Sequence, residues 1–226
     1  MMLWTLKFQC LLLLKKQLKK WDIKKGNGII EGLVQMDFSF TNKRKPKKGM
    51  VLLSDPFSDD DYFGRSVVYL CEHDEKGTFG FVLNNFLDLN LGDFAKNFPD
   101  IQTNVSIGGP VQTESIYFLH TLGDKLPGSM EISDGIFMGG EYDLLTQMID
   151  EDQVSSKEVR FFLGYSGWSG GQLEEEISRN TWRVAPVLNQ GEIMDFTVKD
   201  IWQKFMRREG KKYDVLSRSP LDFSSN

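Results

Sequence analysis

The sequence predicts an α+β fold built on a mixed, mostly antiparallel sheet. Apolar runs rich in Val, Leu, Phe and Tyr follow one another with only a turn between them. Segments with helical spacing are few and do not alternate regularly with those runs. No internal repeat and no Pro/Gly/Ser-rich linker divides residues 49–208, which reads as a single domain. Strands in direct succession favour an α+β sheet over a doubly wound parallel one.

Residues 50–53, 66–71 and 78–83 are apolar and bounded by Asp, Gly and Asn, and so read as three strands. The polar run from Glu72 to Gly77 joins the last two as a hairpin turn. Leu91, Phe94, Ala95 and Phe98 share one helical face, which predicts a short helix over 91–98. Strands are expected at 105–107, 116–120 and 136–138, the first two flanking the turn Gly108-Gly109-Pro110-Val111. Tyr142, Leu145, Met148 and Ile149 form a helical stripe. Residues 159–165 read as a strand, and a helix over 171–179 follows a glycine-rich turn. Residues 182–187 and 193–196 read as closing strands. Val198, Ile201, Trp202, Phe205 and Met206 mark a last amphipathic helix starting at a Thr197 cap. From Tyr213 onward no period is visible, so 209–226 is expected to be a loose tail.

Length and composition bound the function. The 226 residues suit one domain with extensions, at roughly 150 residues per domain. A net charge of −5 conceals an asymmetry: residues 1–48 hold 12 Lys/Arg against 3 Asp/Glu (+9), and the rest hold 15 against 29 (−14). The acidic body disfavours direct nucleic-acid binding, which needs a basic footprint. Residues 1–48 read as a basic N-terminal extension, with Met36 an alternative start and Lys43–Lys48 a solvated arm. The apolar run Leu11–Leu14 is too short to span a membrane, and charge follows it where a secretory signal would place charge first. Cys10 and Cys71 supply no disulfide framework, which suits a reducing cytoplasm.

The stretch from Gly164 to Ile177 carries the most information. Gly167-Trp168-Ser169-Gly170-Gly171 fits the G-x-S-x-G nucleophile elbow. That fold needs its histidine after the serine, and His73 and His120 both precede Ser169. A hydrolase using Ser166 or Ser169 with His120 and a carboxylate is therefore the second reading, behind a tight strand-to-helix turn that glycines permit. A phosphate at this helix start would meet Glu174, Glu175 and Glu176. Two histidines are a thin supply of metal ligands, and Asp55 with Asp59, Asp60 and Asp61 lacks calcium-loop spacing, so neither a metal nor a cofactor is expected. Trp168 and Trp182 are expected to be buried with their indole N–H groups bonded.

Five motifs in order carry a resemblance. They are Gly49–Leu53 with Asp55-Pro56-Phe57, then Phe63–His73, Gly80–Asn84, Gly108–Val111 and Gly164–Glu176. Together they resemble the AlgH/YqgE family of bacterial proteins, and Arg160–Trp168 is similar to its Bacteroidetes form. The resemblance implies a bent sheet forming a partial barrel with helices packed outside, and a cytoplasmic protein. It implies no known catalytic activity. The family name derives from a regulator of transcription in alginate production, and members are often encoded beside a Holliday-junction-resolvase-like protein. A non-enzymatic binding or regulatory role is the leading expectation, through a protein partner or small ligand, with any control of transcription indirect. A shared groove would fall on Arg65, His73, Asn84, Gly109, His120, Trp168, Gln172 and Glu174.

Overall fold

The computed structural model describes residues 41–218, apart from 59, 61, 88–90, 94–97, 100 and 102. They form two compact units, 41–202 and 203–218. In the first unit the described strands are β1 (Val51–Ser54), β2 (Val67–Asp74), β3 (Gly77–Val82), β4 (Phe86–Leu87) and β5 (Val105–Ile107). They continue with β6 (Val111–His120), β7 (Ser129–Ser133), β8 (Ile136–Gly139), β9 (Val159–Ser169) and β10 (Trp182–Ala185). One sheet runs β10-β1-β2-β3-β9-β6-β8-β7, with β5 beside β9 and β4 beside β5. Every pairing is antiparallel except β5 with β9. The sheet curls into a half-barrel, and the fold is α+β. Helices α1 (Tyr142–Asp150), α2 (Gln172–Ser178) and α3 (Gly191–Met194) belong to this unit, and α4 (Ile201–Arg208) starts in it. Residues 203–218 hold the rest of α4 and α5 (Lys211–Ser217), where Arg218 pairs with Asp214 at 2.8 Å.

β9 is the central strand because it meets three others. Its first half lies between β6 and the short parallel β5, and its second half, Ser166–Ser169, pairs with Gly77–Gly80 of β3. Along β6, five steps from Val111 to Ile116 face only two steps from Tyr165 to Leu163, so β6 bulges outward opposite Gly164. Gly164 has φ +65°, and a Cβ there would lie 2.6 Å from Gly109 O and 2.7 Å from Val111 O. The two distortions together switch which face successive side chains point to, as bulges do. Phe161 and Leu163 pack with Val105, Phe118 and the α1 residues Leu145, Met148 and Ile149. Beyond Gly164, Trp168 joins Leu52, Val68, Leu70, Val82, Val184 and Leu173 of α2. Phe162 and Tyr165 are thereby left to the other face.

β1 buries all four side chains, as a strand enclosed by two neighbours should. The outer edge of β10 is covered by the arm before β1: Asn42 Oδ1 accepts from Val184 N–H at 2.9 Å, and the Arg183 guanidinium donates to Thr41 O. Thr41 and Asn42, just before the Lys43–Lys48 run expected to be solvated, thus blunt a sheet edge.

Several elements differ from expectation. Residues 193–196 were expected as a strand, but α3 spans Gly191–Met194 with Ile193 and Met194 buried; a short apolar run carries no period to separate the two. The hairpin turn contracts to Glu75-Lys76, because Asp74 Oδ1 accepts the N–H groups of Lys76 and Gly77 at 2.7 and 3.1 Å. Of the helix expected over 91–98, Leu91–Asp93 forms a 3-10 turn, and 94–97 lie outside the described residues, as do residues 1–40 with their leader and the tail beyond 218. Thr197 caps nothing: its hydroxyl donates to Asp195 at 2.6 Å and α4 begins at Ile201. α5 occupies part of the tail expected to be loose, and β7 was not expected. The glycine stretch is the largest difference. It is not a turn up to Ser169 but the end of β9, and the turn proper is Gly170-Gly171.

Glycine substitutions should separate two constraints. At Gly109 a Cβ would sit 2.0–2.2 Å from the Tyr165 and Ser166 backbone, so Gly109→Ala is expected to destabilise by about 3 kcal/mol or more. Gly171 has φ +78° but open space around it, so Gly171→Ala should cost about 1 kcal/mol. Urea unfolding of both variants checks the order, and equal losses would contradict it.

Candidate functional site

A cleft of about 730 Å³ opens where β3, β9 and the bulged start of β6 meet. Its floor is aromatic. Phe79 and Tyr165 meet edge to face at 5.9 Å, and Tyr165 meets Tyr117 at 5.7 Å. Below them Phe81 stacks on Phe162 at 4.6 Å. The rim carries Glu72, Asp74, Lys76, Gln112 and Gln172, with the Tyr117 hydroxyl donating to Gln112 Oε1. Cross-strand register explains the layout: Glu72 lies opposite Phe79, and Phe79 lies opposite Gly167, which has no side chain to fill the floor. Gly167, Trp168 and Gln172 also line a second cavity of about 350 Å³ with Ser58, Asp60, Glu176 and Trp182. The two cavities share Gly167, Trp168 and Gln172 at the end of β9.

Glu176 organises the second cavity. Its Oε2 accepts both indole N–H groups, Trp168 at 2.9 Å and Trp182 at 2.7 Å, and its Oε1 accepts the Gln172 amide at 3.0 Å. Both indole bonds expected of the buried rings are therefore made, to one carboxylate. The rings stand at 84° to each other, 5.9 Å apart. Gln172 reaches back to accept Ser169 N–H at 3.0 Å, satisfying a donor before α2. His73 bonds Thr78 Oγ1 through Nδ1 at 2.6 Å and approaches Glu174 through Nε2 at 3.5 Å. Four of the eight expected residues, His73, Trp168, Gln172 and Glu174, thus converge where α2 meets the β2–β3 hairpin. Only Trp168 and Gln172 line the cleft itself.

The other four do not join a single groove. Gly109 supplies close backbone packing against Tyr165 and Ser166. Asn84 clips a loop: its Oδ1 accepts Val67 N–H at 2.8 Å and its Nδ2 donates to Arg65 O at 2.9 Å. Arg65 is left-handed at φ 52°, and its guanidinium lies 5.3 Å from the Trp202 ring. His120 is fully buried away from the cleft, because β6 carries it to the far end of β9, opposite Val159.

The serine reading loses its base. Ser166 Oγ is buried and donates to Gly108 O at 3.0 Å. The histidine proposed for it contacts a different serine, with His120 Nε2 2.9 Å from Ser129 Oγ. That pair is wired the wrong way for catalysis. Leu122 N–H donates to His120 Nδ1 at 3.2 Å, so in the neutral ring Nε2 carries the proton, facing Gly139 O at 3.0 Å. Ser129 Oγ in turn donates to Leu126 O at 2.6 Å. A general base needs a free lone pair towards the hydroxyl. Among the described residues no group of three His, Cys, Asp or Glu could hold a metal, and no described helix is long and apolar enough to cross a membrane.

Sequence reasoning missed Phe79, Tyr117, Tyr165, Glu72 and Glu176. The rings were read only as strand residues. Glu176 had a usable signal: two tryptophans flanking one short helix each need an acceptor, and Glu176 lies one turn from Gln172 on the same face.

Two variants test this arrangement. Glu176→Gln leaves one acceptor oxygen for three donors and should cost about 1–2 kcal/mol of stability with a shift in tryptophan fluorescence, read by urea unfolding. Burial lowers the His120 pKa from its ordinary 6.5, with the Gly139 carbonyl partly opposing. The unfolded chain therefore binds this proton first as pH falls. The contribution is complete above pH 6.5 and is lost as pH falls through the lower folded value. Unfolding midpoints from pH 7.5 to 5.5 should fall more steeply in the wild type than in His120→Gln.

The AlgH-like family profile (DUF179) matches residues 51–214. A UPF0301 protein of Bacteroides thetaiotaomicron is 38% identical over 182 residues, covering 80% of this chain and 91% of its own. One from Chlorobium limicola is 36% identical over 178 residues, covering 78% and 94%. Among solved structures, a Corynebacterium diphtheriae crystal structure aligns with TM-score 0.67 at 25% identity, covering 80% of this chain and 96% of that one. The solution structure of AlgH from Pseudomonas aeruginosa aligns with TM-score 0.62 at 27% identity, covering 80% and 100%. With the family profile matching residues 51–214 and relatives 36–38% identical over most of their length, the chain belongs to the AlgH-like family of UPF0301 proteins.

Proposed function

We propose that this chain is a cytoplasmic binding protein with a regulatory role, which holds a protein partner or small ligand non-covalently in the aromatic cleft. The observation that supports this is the cleft itself: half-buried rings of Phe79, Tyr117 and Tyr165 under a polar rim, on a floor of paired strands. Concave sites with an apolar lining and a few placed polar groups are where proteins bind ligands. Neither serine of the glycine stretch meets a histidine there, which favours binding over acyl transfer. In this reading any effect on transcription is indirect, and the Holliday-junction-resolvase-like protein suggested by the family resemblance is the first partner to look for.

The test is capture from lysate of the native host with the full chain, followed by mass spectrometry. Tyr165→Ser and Gln172→Ala should reduce recovery of specific partners at least about fivefold, while the exposed Leu188→Ser should not. Identical partner sets for wild type and all variants would remove the cleft from consideration.

A further inference from the structure

We propose that a pocket at the start of β2, apart from the aromatic cleft, binds a primary carboxamide. The pocket holds about 120 Å³ and is lined by Tyr62, Gly64, Ser66, Val82, Asn84 and Asn85. None of these lines the cleft, so the proposal stands independently of the cleft reading.

Two adjacent residues break local rules here. Ser66 is buried, and its hydroxyl has no hydrogen-bond partner among the described residues. Its backbone is fully used: the N–H donates to Phe63 O at 3.1 Å and to Ser54 Oγ at 2.9 Å, and the carbonyl accepts Ser54 N–H at 3.2 Å. The fold therefore uses the position and not the hydroxyl. An unpaired buried hydroxyl costs free energy that an alanine would not. Arg65 beside it is left-handed at φ 52°, a conformation that residues with a side chain rarely adopt. Asn84 holds that backbone in place, accepting Val67 N–H and donating to Arg65 O. Backbone strain next to an unpaired polar group, at one cavity, is what proteins keep at sites that serve a ligand.

The lining selects the ligand. No side chain of Asp, Glu, Lys or Arg lines the pocket among the described residues, and burial raises the Tyr62 pKa, so the phenol stays neutral. An ion would enter without a counter-charge and lose its hydration. The room is also well beyond the roughly 15 Å³ that one water needs. What fits is a neutral group that both donates and accepts. The Ser66 and Tyr62 hydroxyls do both, and Asn84 keeps one N–H after its bond to Arg65 O. A carboxamide oxygen would take the Ser66 and Asn84 donors, while its NH2 would donate to the Tyr62 hydroxyl or the Asn85 amide oxygen. A ketone lacks the donor, and a carboxylate brings the charge.

The experiment titrates the full-length protein with propionamide and with its isosteres propionate and butanone, reading the amide shifts of Ser66 and Asn85. Propionamide should shift both residues saturably and bind at least about fivefold more tightly than either isostere. Ser66→Ala should weaken propionamide binding by a similar factor while the urea midpoint stays equal or rises, since the hydroxyl pairs with nothing in the fold. A lower midpoint for Ser66→Ala would assign the hydroxyl to the fold and overturn the inference. Equal binding of the three compounds, or no saturable shift with any, would overturn it as well. Capped glutamine distinguishes the sources: tighter binding than propionamide supports a peptide side chain as the ligand, and weaker binding supports a free amide.

Discussion

The left-handed backbone at Gly164, set against the bulge of β6, is the constraint from which the rest of this structure follows. A strand alternates its side chains between two faces, so without a break Phe161, Leu163, Tyr165 and Gly167 would all point one way. At Gly164 the alternation resets. Phe161 and Leu163 can then serve the core under α1, and Trp168 the core under α2, while Phe162 and Tyr165 turn to the opposite face. One glycine thus lets a single strand feed two cores on one side and a cleft on the other. The cleft is a consequence of this reset rather than an addition to it.

A second dependence runs through Glu176. Two large rings are useful core elements, but each brings an N–H that cannot be buried unpaired. Placing one carboxylate between Trp168 and Trp182 satisfies both, and the same side chain fixes Gln172, which holds the chain end of β9 onto α2. Local order at the groove is therefore set by hydrogen bonds from a helix of seven residues that would not be stable alone. Buried polar groups recur where the sheet changes partners. Arg160 is enclosed and donates to Leu83 O and Ile193 O between the Phe86 and Phe162 rings, and burial lowers its pKa to about 9, with Asp195 opposing. Under the cleft floor this guanidinium ties β9 to Leu83, just after β3, and to α3.

Much of the fold was legible because its strands are apolar and its turns are marked by Gly, Asp and Asn. The helix over 142–150 carries a helical period and the strand over 159–165 an apolar run, and no tertiary contact overrides either. Legibility failed where period is absent: Gly191–Met194 is too short to show one, and β7, with its exposed Met130 and Glu131, resembles a loop in composition. The glycine stretch misled for a different reason. Gly164, Gly167 and Gly170 look like turn residues, yet the first re-aims a strand, the second opens a floor, and only Gly170-Gly171 turns the chain. Of the site, Trp168 and Gln172 were visible through the family motif. Phe79, Tyr117 and Tyr165 were not, since a half-buried ring in a strand looks like a core ring until the opposite strand shows a glycine.

The site's foundation also limits what it can do. Its rings stand on paired strands, β3, β9 and β6, so their spacing is fixed by backbone hydrogen bonds and not by a loop that can close. In the proposed binding role, such a floor would select ligands by shape before binding and gain little from rearrangement on binding. Selectivity beyond shape must then come from the rim, where charge is displayed on exposed side chains and is open to screening by salt. The body of the chain carries a net −14 over residues 49–226, a field of the same sign as the rim. In the proposed binding role, that field would attract cationic partners over a distance and raise their rate of encounter.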